Sequence, residues 1–170
     1  MYQRILVPYD GSSTSRCGLD EAIRVAKLTH GRLRLFHVID DLSFALALGS
    51  ESGYADDLLK SLRGEGMRIL DKGEATAKAE GVEVDTHLCD AFPGSVQEKV
   101  AAEVRDWGAD LIVLGTHGRR GAARLLLGSG AERILRQAPV PVLLVRPPVV
   151  KDASGELLSM SASAVAMAAE

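Results

Sequence analysis

Two runs of consecutive aliphatic residues place the strongest constraint on the fold of this chain. Residues 5–7 read Ile-Leu-Val and residues 111–114 read Leu-Ile-Val-Leu, so a strand built from either run has no face suited to water. Strands that are buried on both faces are typical of parallel sheets covered by helices on each side. We therefore expect an α/β fold in which these two strands lie at the centre of a parallel sheet.

Helical and strand patterns alternate along the rest of the chain. Further strands are expected at 33–39, 82–88 and 142–145, and helices at about 14–29, 56–80, 96–107 and 129–137. We expect the first helix to start at Thr14 or Ser15, and the cap candidates are Ser12, Ser13, Thr14 and Ser15. Gly66 and Gly73 weigh against an unbroken second helix, because glycine is a poor helix former. The alternation predicts parallel strands joined by right-handed crossovers.

The polarity of the strands predicts their order in the sheet. The strand at 82–88 alternates apolar and polar residues, which indicates one wet face and a position at an edge. The strand at 142–145 is short and flanked by prolines, and it suits the other edge. The order 3-2-1-4-5 satisfies these constraints, in a single doubly wound five-stranded sheet with helices on both faces. The winding reverses between strands one and four, so we expect a ligand crevice at their carboxyl ends.

A glycine-rich segment follows the fourth strand and reaches this crevice. It reads GTHGRRGAARLLLGSG from Gly115 to Gly130. Glycines let backbone amides approach an anion closely, and Ser129 opens a helix whose first amides favour phosphate. Glycines at strand-to-helix turns also serve turn geometry alone, and this alternative stays open. The segment is neither a P-loop, which needs Gly-Lys-Ser/Thr, nor the dinucleotide fingerprint that follows a first strand.

Composition excludes several classes of protein. A net charge of −3 and a pI near 5.8 argue against binding of nucleic acid or anionic membranes by bulk charge. Cys17 and Cys89 stand at no motif spacing, so neither a disulfide scaffold nor a cysteine zinc site is expected. No signal peptide and no stretch of membrane-spanning length is recognised, and a cytoplasmic location is therefore expected.

The spacing G-x2-G-x9-G-S, from Gly115 through Gly118 to Gly128 and Ser129, resembles the ATP-binding signature of the universal stress protein family. The segments ILVPYDGS at 5–12, LRLFHVI at 33–39 and PVPVLLVR at 139–146 resemble that family too. The resemblance covers residues 1–146 and implies one nucleotide-binding domain of α/β fold. Residues 147–170 lie outside it and are expected to form a flexible C-terminal tail.

The resemblance also implies a set of ligand-binding residues. They are Pro8 and Asp10 in the first loop, Val38 in the second strand, Gly115, His117 and Gly118 after the fourth strand, and Gly128 and Ser129 at the terminal phosphates. Val38 matches the position that contacts adenine through its backbone. Gly130 departs from the pattern, because ATP-binding relatives tend to carry a larger apolar residue there.

Two of these residues keep alternative roles open. Mg²⁺ is expected to bind through the phosphates with Asp10 as its protein ligand, and the alternative for Asp10 is an acid in the first turn of a helix. His117 is expected to hydrogen-bond the ligand, and its alternative is a general acid. No Ser-His-Asp order and no pair of carboxylates can be assigned to one pocket, so catalytic residues stay unassigned.

The leading interpretation is an ATP-binding regulatory protein of the stress response, at most a slow ATPase, that changes its protein partners. One alternative is an ATP-hydrolysing or nucleotidyl-transferring enzyme, although related adenine-binding enzymes carry a His-x-Gly-His element that is absent after the first strand here. Another alternative is a nucleotide-free dimeric scaffold, and the intact glycine signature counts against it.

A homodimer is expected through the fifth strand. Its residues Val142, Leu143, Leu144 and Val145 would otherwise present an apolar edge and unpaired backbone groups to water. The family resemblance points the same way.

Overall fold

The computed structural model describes residues 1–39, 54–91, 93–116, 129–147, 149–151 and 157–159. The elements in chain order are β1 (Arg4–Pro8), α1 (Ser13–Thr29), β2 (Arg32–Val38), α2 (Tyr54–Ala79), β3 (Val84–Cys89), α3 (Val96–Trp107), β4 (Leu111–Gly115), α4 (Ser129–Gln137), β5 (Val142–Val145), β6 (Val149–Lys151) and β7 (Leu157–Ser159). The predicted alternation of strands and helices is thereby confirmed.

The first five strands form one parallel sheet in the order β3-β2-β1-β4-β5. Ile5 of β1 pairs with Leu33 on one side and with Leu111 on the other, so β1 is central as predicted. The winding reverses between β1 and β4, and the predicted sheet order is confirmed.

Helices cover both faces of this sheet because successive side chains of a strand point to opposite sides. Ile5 and Val7 pack with α1 and α2 in one apolar cluster, which also holds Leu70 of α2. Leu6 lies on the other face with Val100 of α3 and Ile134 of α4. The aliphatic runs that suggested central strands are therefore divided between two cores.

Of the four cap candidates for α1, the structure selects Ser12 rather than Ser13, Thr14 or Ser15. Ser12, with an extended backbone, is the N-cap, and its side-chain oxygen accepts a hydrogen bond from the Ser15 backbone nitrogen at 3.1 Å. Ser15 is instead inside the first turn, where its own hydroxyl donates to the Ser12 carbonyl at 3.1 Å. Residues 12–15 all carry a hydroxyl group, so each of them could cap a helix. Which of them is the cap therefore depends on the direction in which the chain leaves β1.

Gly66 and Gly73 do not interrupt α2, although the low helix propensity of glycine weighed against an unbroken helix. A Cβ on Gly66 would stand 2.6 Å from Leu88 Cδ1, and one on Gly73 would stand 2.7 Å from Leu35 Cδ1. These positions therefore let α2 lie close against β2 and β3. The apolar packing of α2 on these strands offsets the low helix propensity of glycine.

Strands β6 and β7 pair antiparallel in a separate two-stranded sheet. Most of residues 147–170 lie outside the described ranges, so the flexible tail stays a prediction. Among the helices of the described ranges, none combines the length and the hydrophobicity that crossing a membrane requires.

Candidate functional site

A cavity of about 640 Å³ opens at the carboxyl ends of β1, β2 and β4. This is where the winding of the sheet reverses, which is the place predicted for a ligand crevice. The cavity wall includes Pro8, Asp10, Val38, Gly115 and Ser129, all of which the sequence singled out. The other predicted residues, His117, Gly118 and Gly128, lie outside the described residues.

Asp10 stands at the rim of the cavity, in the loop between β1 and α1. Its Oδ1 accepts a hydrogen bond from the Ser12 backbone nitrogen at 2.9 Å. Partial burial alone raises the pKa of Asp10, but the hydrogen bonds from Ser12 and Ser15 outweigh it and hold the pKa below its ordinary value. The carboxylate is therefore ionised at neutral pH and suits a hydroxyl donor or a cation.

The backbone of Val38 lies at the carboxyl end of β2, beside the cavity. Ile39 donates its backbone N–H towards β3, whereas the Phe36 carbonyl accepts from the Tyr9 nitrogen on the β1 side, at 2.9 Å. Backbone groups alternate in direction along a strand, so Val38 faces the same side as Phe36. Because β1 has already ended there, the N–H and C=O of Val38 border the cavity.

Part of the cavity wall is apolar, and the start of a helix also borders the cavity. Val100, Leu114 and Ile134 line this part, and all of them are buried. Ser129 is the first residue of α4, whose N-terminus carries the positive end of the helix dipole. The arrangement suits a ligand with a flat apolar group at one end and an anionic group at the other.

Gly115 lines the cavity but also has a role in packing. A Cβ at this position would run into the backbone carbonyl of Thr14 in the first turn of α1. Its lack of a side chain is therefore required for α1 to approach β4, whatever the loop after it binds. By contrast, a Cβ on Gly130 would meet no described residue within 4 Å, so packing within the described ranges does not require glycine at this position.

A helical wall of the cavity was not identified from the sequence. It is formed by α2 and consists of Leu62, Glu65, Gly66 and Ile69. Their spacing of i, i+3, i+4 and i+7 places them on one face of the helix, and this periodicity is the signal that could have found them. His37 of β2 completes this side of the cavity and was also missed as a site residue.

Comparison with known proteins gives a consistent family match. The model described as "Universal stress protein family" matches residues 1–146. A curated universal stress protein of Methanocaldococcus jannaschii is 34% identical over 148 residues, which cover 87% of this chain and 84% of that protein.

Solved structures agree with this match. A crystal structure of a universal stress protein family member from Burkholderia pseudomallei is 34% identical, with a TM-score of 0.67, over 85% of this chain and 96% of that chain. An Arabidopsis thaliana protein of the family, with AMP bound, shares the fold at 15% identity and a TM-score of 0.62, over 91% of this chain and 99% of that chain.

Proposed function

Because the chain belongs to the universal stress protein family, we propose that it is an ATP-binding regulatory protein of the stress response. The cavity at the reversal of the sheet carries this proposal, since it brings the Asp10 carboxylate, the backbone edge of Val38 and the start of α4 at Ser129 to one place. The AMP held by the Arabidopsis protein of the same fold supports an adenine nucleotide as the ligand class.

The adenosine end of the ligand is assigned to the strand ends. The N–H and C=O of Val38 complement the acceptor and donor on the edge of adenine, and the apolar side chains of Val100, Leu114 and Ile134 provide a surface for its ring. Pro8 lines the cavity where β1 ends, and Asp10 is within the same wall to accept from a ribose hydroxyl.

The phosphate end is assigned to the glycine signature. Ser129 at the first residue of α4 places a helix N-terminus at the cavity. Gly118, Gly128 and His117 are proposed to bind the phosphates on the strength of the motif. In this proposal, the negative charge of the ligand meets the backbone amides at the start of α4.

Mg²⁺ is proposed to accompany the phosphates, with Asp10 as its protein ligand. Within the described ranges, no group of three or more histidine, cysteine or acidic side chains could hold a metal ion by itself. Asp10 fits the role of a single carboxylate ligand, because it is ionised, exposed and at the cavity rim. Mg²⁺ commonly binds through one or two carboxylates plus substrate phosphates.

Turnover is proposed to be slow, and ATP acts mainly as a regulatory ligand. Fast hydrolysis needs a positioned water, a base and charge stabilisation in the transition state. The sequence contains no recognised catalytic lysine or water-orienting set. A steady-state rate approaching about 1 s⁻¹, the low end of ordinary enzymes, would favour the alternative of an ATP-hydrolysing enzyme.

Calorimetric titration with ATP and with adenosine tests the proposal. We expect a micromolar Kd for ATP, and replacement of Gly118 or Gly128 by Val to weaken ATP binding about tenfold or more while adenosine changes less than about threefold. Gly64→Val is the control, because a Cβ on Gly64 meets nothing within 4 Å. Equal losses of affinity for ATP and adenosine would show that the phosphates do not bind at this loop. If the wild type bound neither ligand, the proposed function would be wrong.

The metal role of Asp10 has its own test. Asp10→Asn should weaken ATP binding in the presence of Mg²⁺ and have little effect when EDTA removes the metal. Equal weakening in both conditions would assign Asp10 to the ribose instead.

The proposal includes a homodimer through β5. This strand ends the order of the sheet, and its side chains from Val142 to Val145 are all only half-buried within one chain. Pairing of β5 with a second copy would cover these aliphatic side chains and satisfy the outer backbone groups of the strand.

A further inference from the structure

His37 is held in one tautomer by the backbone of the first loop. Its Nδ1 lies 2.8 Å from the carbonyl oxygen of Tyr9. A carbonyl oxygen only accepts hydrogen bonds, so Nδ1 must carry the hydrogen. In the neutral ring, Nε2 is then left without a hydrogen and is an acceptor.

This acceptor belongs to a half-buried side chain that lines the cavity. Within the described part of the chain, the only hydrogen bond of His37 is the one to Tyr9, and no buried side-chain nitrogen or oxygen lacks a partner. Nε2 is therefore accessible rather than sealed in the core. The cause is Gly66 of α2, since a Cβ there would stand 3.0 Å from Cδ2 and 3.5 Å from Nε2 of His37. A side chain at position 66 would cover this edge of the imidazole.

Two further acceptors lie near His37 on this side of the cavity, among the residues that the structure describes. Glu65 lines the cavity one residue before Gly66, with an exposed carboxylate. The Val38 carbonyl follows His37 in β2 and borders the cavity as described above. A ligand group placed next to His37 Nε2 and the Val38 carbonyl can therefore donate hydrogen bonds to both, whereas a ligand acceptor placed between them would face lone pairs.

We propose that Nε2 of His37 accepts a hydrogen bond from the exocyclic amino group of a bound purine and thereby selects 6-aminopurine over 6-oxopurine nucleotides. This inference rests on the proposed function and adds a specificity residue to it. An amino group has two hydrogens, one for the Val38 carbonyl and one for His37. A 6-oxo group offers only lone pairs, so it leaves Nε2 of His37 without a donor and places two acceptors against each other.

Two substitutions test the two ring nitrogens of His37 separately. The amide nitrogen of Asn in His37→Asn can replace Nδ1 as the donor to Tyr9, but this side chain is too short to replace Nε2. The longer side chain in His37→Gln can bring an oxygen acceptor to the place of Nε2. The pair therefore tests the acceptor apart from the packing of the ring.

The measurement is the ratio of the affinities for adenosine and inosine, together with the ratio for ATP and ITP. We expect the wild type to prefer the 6-amino ligands, His37→Asn to lower both ratios about tenfold, and His37→Gln to keep them within about threefold of the wild type. Wild-type ratios in His37→Asn would overturn the inference while leaving ATP binding intact. Failure of the wild type to bind ATP would instead overturn the proposed function.

Imidazole ¹⁵N spectra of the wild-type protein give a readout that needs no variant. At pH 8, we expect His37 to show a protonated Nδ1 and an unprotonated Nε2, whose resonance shifts on addition of adenosine and not of inosine. A protonated Nε2, or a resonance that saturating adenosine leaves unchanged, would overturn the role of His37 even if both variants failed to fold.

Discussion

Gly18 of α1 lies directly against Gly115 of β4, so that a Cβ on Gly18 would stand 2.8 Å from the backbone nitrogen of Gly115. Neither position has room for a side chain, and α1 consequently approaches the end of β4 at the level of their backbones. This contact brings the first turn of α1, with Ser12 and Asp10 before it, to the cavity. Helix packing and the position of the cavity wall thus depend on the same pair of glycines.

Gly18→Ala should destabilise the fold, because the added methyl group meets backbone atoms that cannot rotate away. We expect a loss of about 1–3 kcal/mol in the free energy of unfolding, measured by urea denaturation. Gly64→Ala is the matched control in α2, where nothing lies within 4 Å of the new atom. It should increase stability by up to about 1 kcal/mol. A loss in the control as large as in Gly18→Ala would contradict the packing argument.

Arg34→Met should also destabilise the fold, since it removes a partner of the buried Glu103 carboxylate. Arg34 Nη1 lies 2.9 Å from Glu103 Oε1, and the Glu103 side chain is only 6% exposed. Because His87 Nδ1 still lies 2.7 Å from Glu103 Oε2, the carboxylate keeps one partner, and we expect a loss of about 1–3 kcal/mol in the free energy of unfolding. The control, Arg24→Met, breaks the exposed Arg24–Glu21 pair and should change stability by less than about 1 kcal/mol. Similar effects of the two substitutions in denaturant titrations would show that the burial of Glu103 is unimportant.

Asp20→Asn and Asp10→Asn should have opposite effects on stability at pH 7. Burial, the largest cause, holds the pKa of Asp20 above its ordinary value of 3.8, so the native state loses stability as the pH rises from there through the folded pKa. Asp20→Asn should therefore stabilise the protein at pH 7. The pKa of Asp10 is lowered, so its contribution is present above 3.8 and is lost as the pH falls through the folded pKa.

Asp10→Asn should accordingly destabilise the protein at pH 7. Both differences from the wild type should shrink in acid, where the two carboxyl groups are protonated in native and unfolded states alike. Thermal unfolding between pH 2.5 and pH 7 measures them, and effects of equal sign at pH 7 would contradict the assigned shifts.

Leu144→Arg should convert the proposed dimer into a monomer, because it places a charge in the middle of the paired β5 strands. Sedimentation at micromolar concentration measures the change. Leu28→Arg is the control, at an α1 position that is already 83% exposed, and it should leave the dimer intact. A monomeric wild type would show that the proposed β5 interface does not form.

Truncation after Pro148 should leave ATP affinity within a few-fold of the full chain. The removed segment includes β6 and β7, which pair only with each other among the described strands. Titration of the truncated and full-length proteins compares the two. Loss of binding would show that this segment contributes to the cavity.

The sequence indicated one side of the candidate site and missed the other. Pro8, Asp10 and Gly115 belong to loops that follow recognisable strands, and topology alone brings the ends of neighbouring parallel strands together. The wall made by Gly66 and its neighbours in α2 carried no comparable signal. The spacing of its residues fits any amphipathic helix, and the choice of face depends on how α2 lies across β2 and β3.

The amino-acid sequence by itself determined the elements, the sheet order and the location of the crevice, because hydrophobic periodicity and breaker residues are local properties that limit the available topologies. Only the tertiary structure decided that Ser12 caps α1, that Glu103 reaches Arg34 across 69 positions of sequence, and that Gly66 leaves the edge of His37 open. These relationships depend on distances of a few ångströms between segments far apart in the chain. Such distances are set by the close packing of the whole interior rather than by any local pattern.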